Sequence, residues 1–177
     1  MKRLTAVVLL MMCFISAAYA GPSDRLESIF FDSLYDFSAS WKEPYPGDHV
    51  AKKGGKTYEF CISDNGKKVT EIALHVPYSE MRMDPDTGDF PPALRCFNAV
   101  TNVLYEYLPD YDDFYTYYNA YELWDKLEEG RIRVDWQCPW QPLTADDHVL
   151  EMIHKDTGAY CLATVTDGTF HFFCNGQ

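Results

Sequence analysis

The sequence predicts an α+β fold: an antiparallel sheet of hairpins, about three helices packed on one face, and disulfide stabilisation. Three observations point there. Asp167-Gly168 and Asn65-Gly66 each sit between β-rich runs, which places a C-terminal hairpin over 159–174 and a second over 57–76. Apolar residues recur at helical spacing before and after the second hairpin, without β-α-β alternation. Of the 6 cysteines, all but Cys13 lie beyond an N-terminal leader.

In that leader, Lys2 and Arg3 form a short positive head, and Ala6 to Ile15 is an apolar run too short to span a bilayer. Ala18-Tyr19-Ala20 then offers small residues at −3 and −1 to a cleavage after Ala20. Residues 1–20 therefore read as a cleaved secretory signal peptide, and 21–177 as a single globular domain. Met12, before Cys13, is too large for lipoprotein processing. The short basic head, and the lack of any Asn-x-Ser/Thr acceptor, favour a bacterial periplasm, with release from the cell second.

The first helix is expected over 24–41, where Leu26, Phe30, Leu34, Phe37 and Trp41 share a stripe and Asp24 and Glu27 hold capping positions. Pro44, Pro46 and Gly47 end it in a loop, and Lys52, Lys53 and Lys56 read as a solvated basic loop around Gly54-Gly55. After the 57–76 hairpin, Pro91-Pro92 opens a helix reaching about Leu108, with Leu94, Phe97, Thr101, Leu104 and Leu108 on one stripe. A third helix is expected from Asp113 to Glu129, stopped by Gly130. Arg131–Trp136 alternates like a half-buried strand, and Pro139 and Pro142 break the chain beyond it. Val149–Ile153 is a strand leading to the last hairpin.

One cysteine pair can be derived from register. With Asp167-Gly168 as a two-residue turn, Thr166 faces Thr169, Val165 faces Phe170, and Cys161 faces Cys174. That pair falls on a non-hydrogen-bonded position, where Cα atoms approach to about 4.5 Å, at the short end of disulfide range. An oxidising compartment then favours a Cys161–Cys174 bond. Cys61, Cys96 and Cys138 provide one more bond and a spare thiol, with Cys61–Cys96 the preferred pairing.

Charge narrows the partners. The full chain carries 15 Lys+Arg against 27 Asp+Glu; loss of Lys2 and Arg3 leaves 13 against 27, a net −14. Such a chain repels nucleic acid and anionic membrane, and favours basic partners. Tyr105 to Glu129 concentrates tyrosine and carboxylate, a composition suited to a cationic protein: rings supply rigid contact area and carboxylates receive Arg and Lys. Phe114, Tyr117, Tyr118, Tyr121 and Trp124 lie at helical spacing and read as core. Asp110, Tyr111, Asp112, Asp113 and Tyr115 lie in or beside a Pro-started turn and are the candidate partner-binding residues.

Catalytic signatures are sparse. The sequence holds no Gly-x-Ser-x-Gly elbow, His-Glu-x-x-His, paired Cys-x-x-Cys, calcium loop or P-loop, and no cofactor or metal site is assigned. The expected function is an exported acidic binding protein, of the inhibitor or immunity type, that blocks a basic enzyme. Two alternatives stand beside it: a small exported hydrolase using carboxylates or a metal near His148 and His154, and a carbohydrate-binding module using the tyrosines.

Overall fold

The computed structural model describes residues 22–34, 41–104, 108, 139–146 and 148–176. Among the described residues, eight strands form a single sheet: β1 (Lys42–Tyr45), β2 (Asp48–Lys53), β3 (Lys56–Asp64), β4 (Val69–Pro77), β5 (Trp140–Asp146), β6 (Val149–His154), β7 (Tyr160–Thr166) and β8 (Thr169–Asn175). Their order is β1-β2-β3-β4-β8-β7-β6-β5, with antiparallel neighbours throughout. The molecule is thus two four-stranded meanders joined at the centre by β4 and β8. Helices α1 (Pro22–Ser33) and α2 (Pro92–Leu104) are short, and the whole is compatible with the α+β class.

Local chemistry explains the hairpins. Asp167 and Gly168 both take positive φ (51° and 73°), as a two-residue primed turn requires, and Thr166↔Thr169, Val165↔Phe170 and Cys161↔Cys174 pair as the sequence predicts. The 57–76 hairpin is also present, closed by a longer loop in which Asn65 Oδ1 accepts the Lys67 and Lys68 amides. Two further hairpins depart from expectation. Gly54 and Gly55 (φ 59° and 79°) turn β2 into β3, so Lys52 and Lys53 are strand residues; Gly-Gly is itself a hairpin signal. Pro139 and Pro142 do not abolish β5. It is the sheet's edge strand, bulged between Pro142 and Thr144, where a missing N–H is tolerated.

One face of the sheet is the core. Phe60, Leu74, Phe172, Ala163 and Leu150 form one cross-strand row; Ile62, Ile72, Cys174, Cys161 and Met152 form the next, and all are buried. Leu26, Phe30 and Leu34 of the α1 stripe pack here, with the Phe30 ring stacked on Phe60 at 4.1 Å. Helix α1 ends at Ser33 rather than continuing to Trp41. Trp41 still contacts Phe30 and Phe31 edge-on, from the residue before β1. Helix α2 buries the expected Leu94, Phe97, Thr101 and Leu104, with Leu108 beyond its end, and Phe97 meets Phe170 and Phe172 edge-on. The expected third helix (113–129), the strand 131–136 and the leader 1–20 lie outside the described residues.

Candidate functional site

The sheet face away from the helices carries the chemistry. Side chains alternate across a strand, so the buried Tyr58, Phe60 and Ile62 of β3 leave Glu59 and Cys61 on the opposite side. Register aligns one row there: Val50, Glu59, His75, His171, Thr164 and Val149. The neighbouring row is Asp48, Cys61, Ala73, Phe173, Leu162 and Glu151.

Where the rows adjoin over β2, β3, β4 and β8, the polar groups converge. Cys61 Sγ lies 3.3 Å from Asp48 Oδ1 and 3.8 Å from Glu59 Oε1, with the thiol donating toward the carboxylates. Burial, then Asp48, then Glu59 push that thiol up to about 12, because each disfavours a thiolate. Directly across from Glu59, His75 Nδ1 lies 2.7 Å from His171 Nδ1, so one ring donates and the other accepts when both are neutral. Burial lowers the His75 pKa and His171 lowers it further, against smaller raising effects of Glu59 and Asp48. Glu59, His75 and His171 also line a groove of about 570 Å³ that opens beside Lys56 and Thr169.

A third carboxylate is anchored farther along the same face. Glu151 accepts hydrogen bonds from Thr144 Oγ1 and from Tyr160 Oη at 2.8 Å, and these hold its pKa below the usual carboxylate range. At the sheet end near the groove, Lys56 Nζ and Tyr58 Oη bond the two oxygens of Glu80, which fixes the short turn Tyr78–Glu80.

The structure does not unite the sequence candidates His148 and His154. They flank β6 at opposite ends, about 20 Å apart at strand rise. His154 is a buried turn anchor: its Nδ1 faces the Asp156 and Thr157 amides at 3.3 and 3.2 Å, and its ring meets Trp140 edge-on. His148 is an exposed turn residue at φ 68°. Nor do Cys61 and Cys96 meet. Cys61 points to the polar face, whereas Cys96 is buried on α2 over the core face, so the sheet stands between them and neither is disulfide-bonded. Cys161 and Cys174 face each other in the core as thiols, with sulfurs 2.7 Å apart. Asp110, Tyr111, Asp112, Asp113, Tyr115 and Cys138 lie outside the described residues.

Sequence reasoning missed Glu59, Cys61, His75 and His171 as a group. The alternation Tyr-Glu-Phe-Cys-Ile at 58–62 was the available signal, since it puts Glu59 and Cys61 together on the polar face. No protein-family model, curated protein or solved structure matches this chain.

Proposed function

We propose that this is an exported acidic binding protein that blocks a basic partner, most simply a cationic cell-wall-degrading or effector enzyme. Residues 1–20 are its export signal, the mature chain begins at Gly21, and it works in the periplasm or after release. A Cys161–Cys174 disulfide braces the central hairpin in that oxidising setting.

The observation that carries the reading is the charge of the polar sheet face. Asp48, Glu59, Glu71 and Glu151 stand on it, while Lys52 of the same face lies at the end of β2. Ala73, Leu162 and Phe173 lie between Cys61 and Glu151 in one row. Apolar contact area bordered by carboxylates suits a lysine- and arginine-rich surface. A sheet also presents these groups on a rigid backbone, which lowers the entropic cost of association. Asp110, Tyr111, Asp112, Asp113 and Tyr115 are, in sequence, of the same acidic and aromatic character.

The test is direct binding after identification. Immobilised mature, oxidised protein is exposed to envelope extract at low salt, and the protein released at high salt is purified and titrated by calorimetry. The reading expects salt-sensitive binding, weakened at least about tenfold by replacing Asp112, Asp113 and Tyr115 with alanine, or by Glu59→Gln with Glu151→Gln. Binding indifferent to salt and to both variants overturns it, as does retention of nothing cationic.

A further inference from the structure

We infer that Asp48, Glu59 and Cys61 form a binding site for a divalent transition metal of the zinc class on the polar face of the sheet, with His75 beside them to complete it. This goes beyond partner binding and does not depend on it. The donor set is the first argument: a thiolate with carboxylates, and an imidazole on the next strand, are the ligand types that zinc takes, whereas calcium and magnesium take oxygen.

The second argument is spacing. Ligand atoms of Asp48, Glu59 and Cys61 all lie within 4.8 Å of one another. A tetrahedral zinc with sulfur at about 2.3 Å and oxygen at about 2.1 Å holds those atoms about 3.6 Å apart. The observed sulfur–oxygen separations, 3.3 and 3.8 Å, bracket that value. The two sulfur–oxygen separations therefore already suit a shared ion, and the two carboxylate oxygens lie within 4.8 Å of each other.

The third argument is a neighbouring imidazole, which lies outside the 4.8 Å set that the three form. His75 stands opposite Glu59, and its Nδ1 is engaged by His171 while Nε2 makes no hydrogen bond among the described residues. With one ring nitrogen held by a neighbour, as in metal-bound imidazoles, the other would complete the coordination once an ion sits on the trio. His171 is then a positioning residue for His75. Charge agrees: among the described residues neither Asp48 nor Glu59 has an ion-pair partner, so two carboxylates converge on a thiol with no cation to balance them. On binding, the thiol proton leaves to solvent and sulfur coordinates as thiolate.

The experiment uses purified mature protein, stripped with chelator and titrated with Co²⁺ alone, then with Zn²⁺ as competitor. One equivalent of Co²⁺ should bind and show a thiolate-to-cobalt charge-transfer band in the near ultraviolet, which Zn²⁺ abolishes. Cys61→Ala should remove the band and weaken Zn²⁺ about 100-fold or more, and His171→Ala should weaken it about tenfold. Cys96→Ala, on the other side of the sheet, should leave the band intact. Glu59→Gln, checked for fold by circular dichroism, repeats the test without touching the thiol. Failure to retain Co²⁺, a band that persists without Cys61, or peptide mapping that finds Cys61 in a disulfide would each overturn the assignment.

Discussion

If the proposed Cys161–Cys174 bond forms, reducing the protein should cost about 3 kcal/mol of stability through that one bond. The two residues are direct partners across β7 and β8, both buried on the core face among Ile72 and Met152. Forming the bond closes a loop from residue 161 to residue 174, fourteen residues inclusive. In the chain-entropy account, such a loop restricts the unfolded chain by about 10 cal/mol/K, or about 3 kcal/mol at 25 °C. For a domain of this size that is about 6–12 °C in Tm, or about 1.5 M in urea midpoint at a slope near 2 kcal/mol/M. Reductant would also open any bond made by the remaining cysteines, and alanine at these sites leaves a small cavity. The useful quantity is therefore a difference of differences. The midpoint shift on adding reductant is measured for wild type and for the Cys161→Ala/Cys174→Ala protein, and the second is subtracted from the first. Cavity costs cancel because each protein is its own reference. A remainder near 3 kcal/mol, with a 161–174 cross-link in the peptide map, is expected. A remainder near zero refutes the bond. A cross-link from Cys161 or Cys174 to some other cysteine refutes it too, and with it the use of the hairpin register to find it.

Backbone geometry and one anchored carboxylate each carry a further expectation. Gly47→Ala should destabilise by about 2 kcal/mol or more: its φ is +76° and a Cβ would sit 2.2 Å from Ile62 O, while the Ile62 amide already bonds Gly47 O at 2.8 Å. Gly54→Ala, with positive φ but nothing within 4 Å, should cost only about 1 kcal/mol, so equal losses in urea melts would sink the clash argument. Burial raises the Glu80 pKa, but hydrogen bonds from Lys56 and Tyr58 outweigh it and leave the carboxyl below its ordinary 4.5. The stability it contributes is therefore present above that value and lost as pH falls through the lower folded one. The gap between wild type and Glu80→Gln should be full at pH 6 and shrink toward pH 3; a gap constant across that range would remove Glu80 from the acid limb.

The parts of the fold that were legible in the sequence are those where one local cause acts alone. Asp167-Gly168 forces a two-residue turn, and every pair out to Cys161 and Cys174 is then reached by counting. The stripes Leu26-Phe30-Leu34 and Leu94-Phe97-Thr101-Leu104 bury because a helix has one inward face. Where two local causes competed, the sheet decided. Trp41 continues the α1 stripe numerically, yet it packs on Phe30 from the position just before β1, and an aromatic satisfies the same contact from either backbone. Pro142 lacks an amide N–H but sits on an edge strand, so the ladder forms around it with a bulge.

The polar site lay beyond such reading because it depends on the junction of the two meanders. Glu59 and His75 become neighbours through the 57–76 hairpin, which local signals do reveal. His171 joins them only because β4 pairs with β8, and no turn connects those strands: the two histidines are 96 residues apart in the chain. Asp48 reaches Cys61 through the Gly54-Gly55 turn, which is legible only once Lys52 and Lys53 are taken as strand. Three pairings must be in register together, and a slip of one residue in any of them turns its strand's polar groups to the core side. The same dependence gives the site its rigidity. Glu59, Cys61, His75 and His171 all stand on central strands whose opposite faces hold Phe60, Ile62, Leu74 and Phe172, each buried. Moving the ligands apart therefore means breaking core packing, and a metal that binds there should raise the stability of the central strands above that of edge strands β1 and β5.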